Sequence, residues 1–538
     1  MEYINGAQFR DALQAAYESL LAHKEEVDEL NVFPVPDGDT GTNMTMTMAS
    51  AMEFVQKAKE DSVSAYAKAL GNGTLMGARG NSGVIFSQLC RGISDALKGA
   101  QILNTKLAAQ AFMSAKEKAY KAVMKPTEGT MLTVARGIAE FAERNADNPN
   151  LEDFLVGALQ QASLTLQKTP DMLPALKEAG VVDAGGQGLV YLLTGFVEKL
   201  VDKDLSHLLE AESSPQNAMA ISDFEKDSHQ AQQFDYFLKV KVEGIEEERL
   251  VRHMNHHGHV EMVEHSGQAL LVQASCDRPE DMLASILRRA RILEMNLVHV
   301  DAKIYEPSGV TEEKDETKAR SKVGFVAVAL GEGFKEVFNQ LMVDEVVSGG
   351  QTMNPSTKEL YDAVERVNAD TVFILPNNKN IILAAEQVDE LSSSKVIVIP
   401  STSIPQGITA LFHFDEDLSD EENREAMTES LESVITGQVT YAVRDTSLDG
   451  MVIKKDDKIG LIDGQIVLTG QDDKALVLDL LAKYVDADAS LLTVYPGEGV
   501  KQEDQKELEK EISKTYSLLD VDVVYGGQPT YSYIFSIE

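Results

Sequence analysis

The chain has 538 residues, 43% hydrophobic and 25% charged, enough for about three or four domains with cores of their own and too balanced for wholesale disorder or a fibrous repeat. Lys and Arg number 49 against 87 Asp and Glu, a net charge of −38, which repels a phosphate backbone and argues against a nucleic-acid partner. Two cysteines, Cys90 and Cys276, lie outside any CxxC spacing, which leaves no disulfide framework and no cysteine-rich zinc site.

The stretch MEYINGAQFRDAL shows no basic n-region followed by an apolar h-region, and no uninterrupted apolar run approaches the ~20 residues of a membrane span. A cytoplasmic protein without integral membrane contact is expected. Residues 1–205 read as helical, with Phe9, Leu13, Tyr17, Leu20, Leu21, Val27 and Leu30 at three- and four-residue spacing. The breaks between helices are loops rich in Gly, Thr and Asp: PVPDGDTGTNM, GNGTLMGARGNSG, KPTEGTM and AGVVDAGGQG. Residues 206–233 turn polar around Ser-Ser-Pro and read as a linker. Over 234–308 a small α/β module is expected: strand YFLKVKVEG, helix EEERLVRHMNHHG, strand QALLVQAS, helix PEDMLASILRRARIL and strand NLVHVDAKIY. The stretch 309–322 is a charged linker or loop. Residues 323–538 alternate FVAVAL, TVFILP and KVIVIP with helical segments, the rhythm of parallel βα units, and carry a hairpin turn at Asp463-Gly464.

Three loops carry chemistry. In NVFPVPDGDTGTNM, Asp37 and Asp39 flank Gly38 after two prolines, so turn conformations let both carboxylates converge on one point. An EF-hand starting at Asp37 fails, because its fifth and twelfth positions are Gly41 and Met48. A phosphoaspartyl loop fails for want of a preceding apolar strand. Mg²⁺ ligation survives, with Thr40, Thr42 and Asn43 as short polar side chains beside Gly41. In GARGNSG, Gly77, Gly80 and Gly83 recur every three residues and Ser82 precedes a helix. That pattern suits either close helix packing or an anion at a helix N-terminus, and with the acid pair nearby the anion site is preferred. No GxxxxGK[ST] occurs, so a P-loop is excluded. In AGVVDAGGQG, Asp183 either caps a helix or borders a ligand.

These motifs together, with GGQTMNPST, LPNNKN, IPQGITAL and GGQPTYSYIFSIE further on, resemble the bacterial fatty acid kinase ATP-binding subunit, whose N-terminal domain is similar to the L subunit of dihydroxyacetone kinase. The resemblance spans nearly the whole chain. It implies an all-α N-terminal barrel of eight antiparallel helices, a small α/β middle domain and an α/β C-terminal domain related to DegV-like proteins. It also implies ATP and two Mg²⁺ in the barrel, and a separate DegV-like fatty-acid-binding protein that presents its lipid carboxylate for phosphorylation. The polar loops GGQTMNPST and LPNNKN of the C-terminal domain either dock that carrier or its lipid, or cap helices and fill βα loops. A homodimer is among the expected assemblies.

The metal-binding acids carry over onto Asp37 and Asp39. The family's third acid falls on Val32, and Asn31 is taken as the third ligand. Arg79, Asn81 and Ser82, within GARGNSG, would cradle the phosphates, and Thr130, Met131, Asp183, Gly185 and Gly186 would line adenine and ribose. Relatives carry a cysteine and a His-x-His pair in the middle domain. Here Asp235, His299 and Asp301 stand near those positions, a weak second site at which zinc is not expected. Two other functions stay in view: a nucleotide-sensing regulator without turnover, and a kinase subunit for a small hydroxylated substrate.

Overall fold

The computed structural model describes residues 1–31, 38–123, 125–205, 236–243, 247–254, 259–266, 269–276, 282–283, 286–287, 290–299, 320–350, 354–442, 446–448 and 451–538. The chain divides into two compact units, Met1–Ser213 with Ala319–Glu538, and Ser214–Lys318. No described helix is long and apolar enough to cross a membrane.

In the first unit the chain runs through helices α1 (Gly6–Ala22), α2 (Lys24–Glu29), α3 (Thr40–Gln56), α4 (Val63–Gly77), α5 (Gly80–Ala96), α6 (Thr105–Ala122), α7 (Met131–Arg144), α8 (Leu151–Leu166), α9 (Thr169–Met172), α10 (Pro174–Ala179) and α11 (Ala184–Val201). A short antiparallel ribbon joins β1 (Tyr3–Ile4) to β2 (Leu103–Asn104). Side-chain caps start many of these helices: Asn5 closes a capping box with Gln8, and Ser62, Asn104, Asn150 and Asp183 each accept a backbone N–H of the first turn. Among the described residues, α1, α3, α4, α5, α6, α7, α8 and α11 each pack on the next, and α11 returns to α1, so eight helices close a ring. Its interior holds Phe9, Leu13, Leu20, Met44, Leu159 and Val190. Leu21 is a correction to the expected apolar stripe, 47% exposed while Leu20 is fully buried. Adjacent helical residues differ by about 100° in direction, which puts Leu21 outside the stripe that runs through Phe9, Leu13, Ala16 and Leu20.

The C-terminal part of this unit has two sheets. β7 (Ser321–Ala329), β8 (Glu345–Ser348), β9 (Ala369–Leu375) and β10 (Lys395–Val398) form a parallel sheet in the order β10-β9-β7-β8. The helices between and after them are α13 (Glu332–Gln340), α14 (Thr357–Val367), α15 (Lys379–Glu386), α16 (Ile404–Phe412) and α17 (Asp420–Ser430). β11 (Ile435–Tyr441), β14 (Lys458–Ile462), β15 (Gln465–Gly470), β16 (Leu491–Pro496), β17 (Asp520–Val523) and β18 (Tyr533–Ile537) form a six-stranded mixed sheet, and β12 (Thr446–Leu448) pairs with β13 (Met451–Ile453). Helices α18 (Asp473–Tyr484) and α19 (Gln502–Thr515) complete it. Asp463 and Gly464 turn β14 into β15 with φ of 47° and 77°, the left-handed pair that a two-residue hairpin requires.

The second unit has β3 (Tyr236–Glu243), α12 (Glu247–Met254), β4 (His259–Ser266), β5 (Ala269–Cys276) and β6 (Arg291–His299), an antiparallel sheet ordered β4-β5-β3-β6. Leu238, Val240 and Val242 alternate inward on β3 against Val272 and Ala274, the period of a half-buried strand. One expectation needs correction here and one strand was not expected. Arg291–Leu293, read as the end of a helix, begins β6, and His259–Ser266, for which no element was expected, is a strand with a bulge between Val260 and Met262. In both places a neighbouring strand supplies the backbone partners, and local propensity is overridden.

Candidate functional site

Four helices of the ring point their N-termini into one cavity of about 250 Å³. Asp39, Thr40 and Asn43 come from the start of α3, and Asn81, Ser82 and Ile85 from α5. Thr130, Met131 and Leu132 come from α7, and Asp183, Ala184 and Gly185 from α11. Each N-terminus presents unsatisfied N–H groups and a positive partial charge, so their convergence suits an anion. Lys125 is the one basic side chain among the described lining residues.

Gly38, with a φ of 64° that favours glycine, precedes Asp39, which lines this cavity. Asp39 is the N-cap residue of α3, yet its side chain makes no capping bond. Its Oδ2 accepts instead from Asn354 Nδ2 at 2.7 Å. Asn31 lines the same cavity and is 3% exposed. Asp37 lies outside the described residues. Thr42 is turned away, because Asp28 accepts both its backbone N–H at 2.9 Å and its hydroxyl at 2.8 Å.

The glycines divide into two groups. A Cβ on Gly41 would lie 2.2 Å from Lys24 O, on Gly77 2.3 Å from Ser50 Cβ, on Gly83 2.5 Å from Thr47 Oγ1, and on Gly186 2.9 Å from Val134 Cγ2. These four permit close helix packing and do not line the cavity. Gly80, at φ 57°, starts α5 where a Cβ would meet Asn43 Nδ2 at 2.6 Å. Arg79 also leaves the cavity: it donates to Asn354 O at 2.8 Å and pairs with Glu359 at 2.9 Å.

Asp183 does two things at once. It caps α11 by accepting from Gly186 N at 2.7 Å, and it accepts from the backbone of Met131 at the start of α7. Burial pushes its carboxyl up to about 6, against the pull of those two N–H donors. One carboxylate thereby ties two helix N-termini together at the cavity wall.

The C-terminal domain supplies the remaining wall, through Asn380 and Leu383 of α15. Neither they nor Asn354, Lys125 and Asp28 were singled out from the sequence. Asn354 and Asn380 belong to GGQTMNPST and LPNNKN, which carried a polar signal, but nothing local says which domain such a loop serves. A second cavity of about 210 Å³ lies within the C-terminal domain beside Asn377, Lys379, Ser403 and Thr436, and Asn380 borders both.

The donor set suits Mg²⁺ with phosphate. Asp39 and Asn31 offer hard oxygens, the described lining contains no Cys or His, and Asn81 Oδ1 is buried without a hydrogen-bond partner. Mg²⁺ ordinarily takes one or two carboxylates and completes its shell with phosphate and water. Among the described residues, no group of three or more His, Cys, Asp or Glu side chains could hold a metal by itself. In the second unit, Asp235 and Asp301 lie outside the described residues, and His299 ends β6 opposite Tyr236.

Residues 34–198 match the DAK2 domain, and residues 324–538 match the C-terminal domain of FakA-like fatty acid kinase proteins. An uncharacterized protein of Staphylococcus saprophyticus is 37% identical, and Protein YloV of Bacillus subtilis 36% identical, each over 99% of this chain and 99% of its own length. Among solved structures, a DegV family protein of Corynebacterium glutamicum is similar over 40% of this chain and 97% of its own, at TM-score 0.32 and 15% identity. The fatty acid kinase B3 protein of Streptococcus pneumoniae, loaded with linoleic acid, is similar over 40% and 99%, at TM-score 0.29 and 13% identity. With full-length relatives above one-third identity and both domain models in this order, the chain belongs to the FakA-like fatty acid kinase family, its helical ring carrying the DAK2 domain and its C-terminal region the FakA-like domain.

Proposed function

We propose that the chain is the cytoplasmic ATP-binding catalytic subunit of a fatty acid kinase, which transfers the γ-phosphate of ATP to the carboxylate of a fatty acid held by a separate DegV-like protein. The observation that carries this reading is the convergence of four helix N-termini on one cavity rimmed by Asp39 and Asn31. Phosphoryl transfer asks mainly for charge neutralisation and in-line positioning. A carboxylate oxygen of the lipid forms the new bond to the γ-phosphorus, the bond to the bridging oxygen breaks, and ADP leaves with that electron pair. A fatty carboxylate is already ionised at neutral pH, so no general base is needed.

Asp37, Asp39 and Asn31 would hold Mg²⁺, which when bound offsets phosphate charge. Thr40, Asn43, Asn81, Ser82 and Lys125 line the phosphate side of the cavity, while Thr130, Met131, Asp183 and Gly185 form the wall assigned to base and ribose. Thr42, through Asp28, and Gly41, Gly77, Gly83 and Gly186, through packing, hold these groups in place. Arg79 and Gly80 set the start of α5.

The test is phosphotransfer with purified protein, a lipid-loaded DegV-like carrier and Mg·ATP. Asp37→Ala and Asp39→Ala are each expected to abolish acyl phosphate formation while the protein still folds, which thermal unfolding checks; Asp39→Ala also lowers the midpoint, because Asn354 Nδ2 loses its acceptor. Full turnover in either variant overturns the assignment. ATP binding with no transfer to any loaded carrier or small hydroxylated acceptor would make the protein a nucleotide sensor instead.

A further inference from the structure

The C-terminal domain meets the helical ring along a polar seam that ends inside the cavity. At its far end Gln88 Nε2 donates to Gln387 Oε1 at 2.6 Å and Arg91 pairs with Glu390 at 2.9 Å. Nearer the cavity, Thr357 N donates to Ala78 O at 3.0 Å, and Arg79 takes both Asn354 O and the Glu359 carboxylate. At the cavity itself, Asn354 Nδ2 holds Asp39 Oδ2 at 2.7 Å, and Asn380 Oδ1 receives Asn81 Nδ2 at 3.1 Å. Asn354 is 3% exposed, and its backbone carbonyl is held by Arg79 at 2.8 Å, so the backbone that carries the amide cannot shift without breaking a second contact.

We infer that Asn354 and Asn380 are positioning residues of the nucleotide site, acting through Asp39 and Asn81, so that the C-terminal domain completes the phosphate cavity as well as lying beside it. This rests on the reading of the cavity as the Mg·ATP site. A neutral amide N–H suits the task at Asp39, because it fixes a carboxylate rotamer without bringing a charge that would compete with a cation. At Asn81 one amide N–H is given to Asn380, and Oδ1 is buried without a hydrogen-bond partner. A buried acceptor in that state is costly to the protein and is relieved when a ligand donor or cation arrives. The same two contacts make the cavity sensitive to any movement of the C-terminal domain.

Calorimetric titration of the full chain with ATP, once with Mg²⁺ and once with EDTA, tests this. Asn354→Leu is expected to weaken Mg·ATP binding roughly tenfold while binding in EDTA is unchanged, since its effect passes through the metal ligand. Asn354→Ala serves if leucine prevents folding, which thermal unfolding monitors. Asn380→Ala is expected to weaken both forms, because Asn81 faces phosphate directly. Gln387→Ala, on the same seam but away from the cavity, is expected to lower the unfolding midpoint and leave both affinities as they were. The inference fails if Asn354→Leu and Asn354→Ala bind like the wild type, or if Gln387→Ala weakens binding as much as they do. A wild-type protein that binds no Mg·ATP overturns the reading of the cavity itself, which is a separate result.

Discussion

Asp183 shows how one residue can answer two readings. The sequence AGVVDAGGQG allows either a helix cap or a ligand wall, and the structure has the side chain accept from Gly186 N while lining the cavity. What no local pattern reveals is the second donor, Met131, which lies over fifty residues earlier and raises the stakes of the carboxylate's charge. Burial lifts its folded pKa to about 6, above the ~4 of a solvated aspartate. The folded state therefore binds more protons than the unfolded state between roughly pH 4 and pH 6, so this group's contribution is fully favourable below about pH 4 and is lost as pH rises through about 6. Asp183→Asn carries no such titration. Urea unfolding of both proteins at several pH values should show the variant gaining roughly 3 kcal/mol relative to wild type between pH 4 and pH 7. A pH-independent difference would show that the carboxyl is not perturbed.

Among elements, the glycine spacing of GARGNSG is the instructive case. The period of three allows either close helix packing or an anion site, with the anion site preferred; at Gly77 and Gly83 the structure shows close packing. Gly77 and Gly83 admit α3, through Ser50 and Thr47, so that α3, α4 and α5 can bring two N-termini to one cavity. Gly77→Ala places a methyl group 2.3 Å from Ser50 Cβ, and a side chain rooted in a helix cannot retreat as a long flexible one would. Chemical denaturation should register a loss of about 1–3 kcal/mol. An unchanged midpoint would mean that α3 and α4 can separate at little cost. Two of the strands missed from sequence, Glu345–Ser348 and His259–Ser266, were missed for different reasons. One is too short to show a period, and the other, HVEMVEHS, breaks its alternation at Met262-Val263, beside a bulge, so only the neighbouring strand identifies it.

At the scale of the whole molecule, 87 acidic against 49 basic residues produce a net charge of −38, spread over a chain whose proposed substrates are themselves anions. Self-repulsion of this size disfavours the compact state and is screened by salt. Scanning calorimetry should show the unfolding midpoint rising by a few degrees between about 20 mM and about 300 mM sodium chloride, since the screening length shortens severalfold over that range. A fall would mean that the seam ion pairs, such as Arg79 with Glu359 and Arg91 with Glu390, outweigh the repulsion.

Within the sequence alone lay the helices of the ring, through three- and four-residue spacing, the strand periods of the C-terminal domain, and a Pro- and Gly-held loop where acids can meet a cation. These are local properties, set by neighbours within about one turn or one hairpin. Tertiary structure decided that α3, α5, α7 and α11 start at one point. It also decided that Thr42 answers to Asp28 and that Arg79 serves the domain contact. Asp39 and Asn81 find partners in Asn354 and Asn380, which are 315 and 299 residues away along the chain. Such pairings are chosen by which surfaces can be buried together with their polar groups satisfied, a condition on the folded whole that no window of sequence expresses.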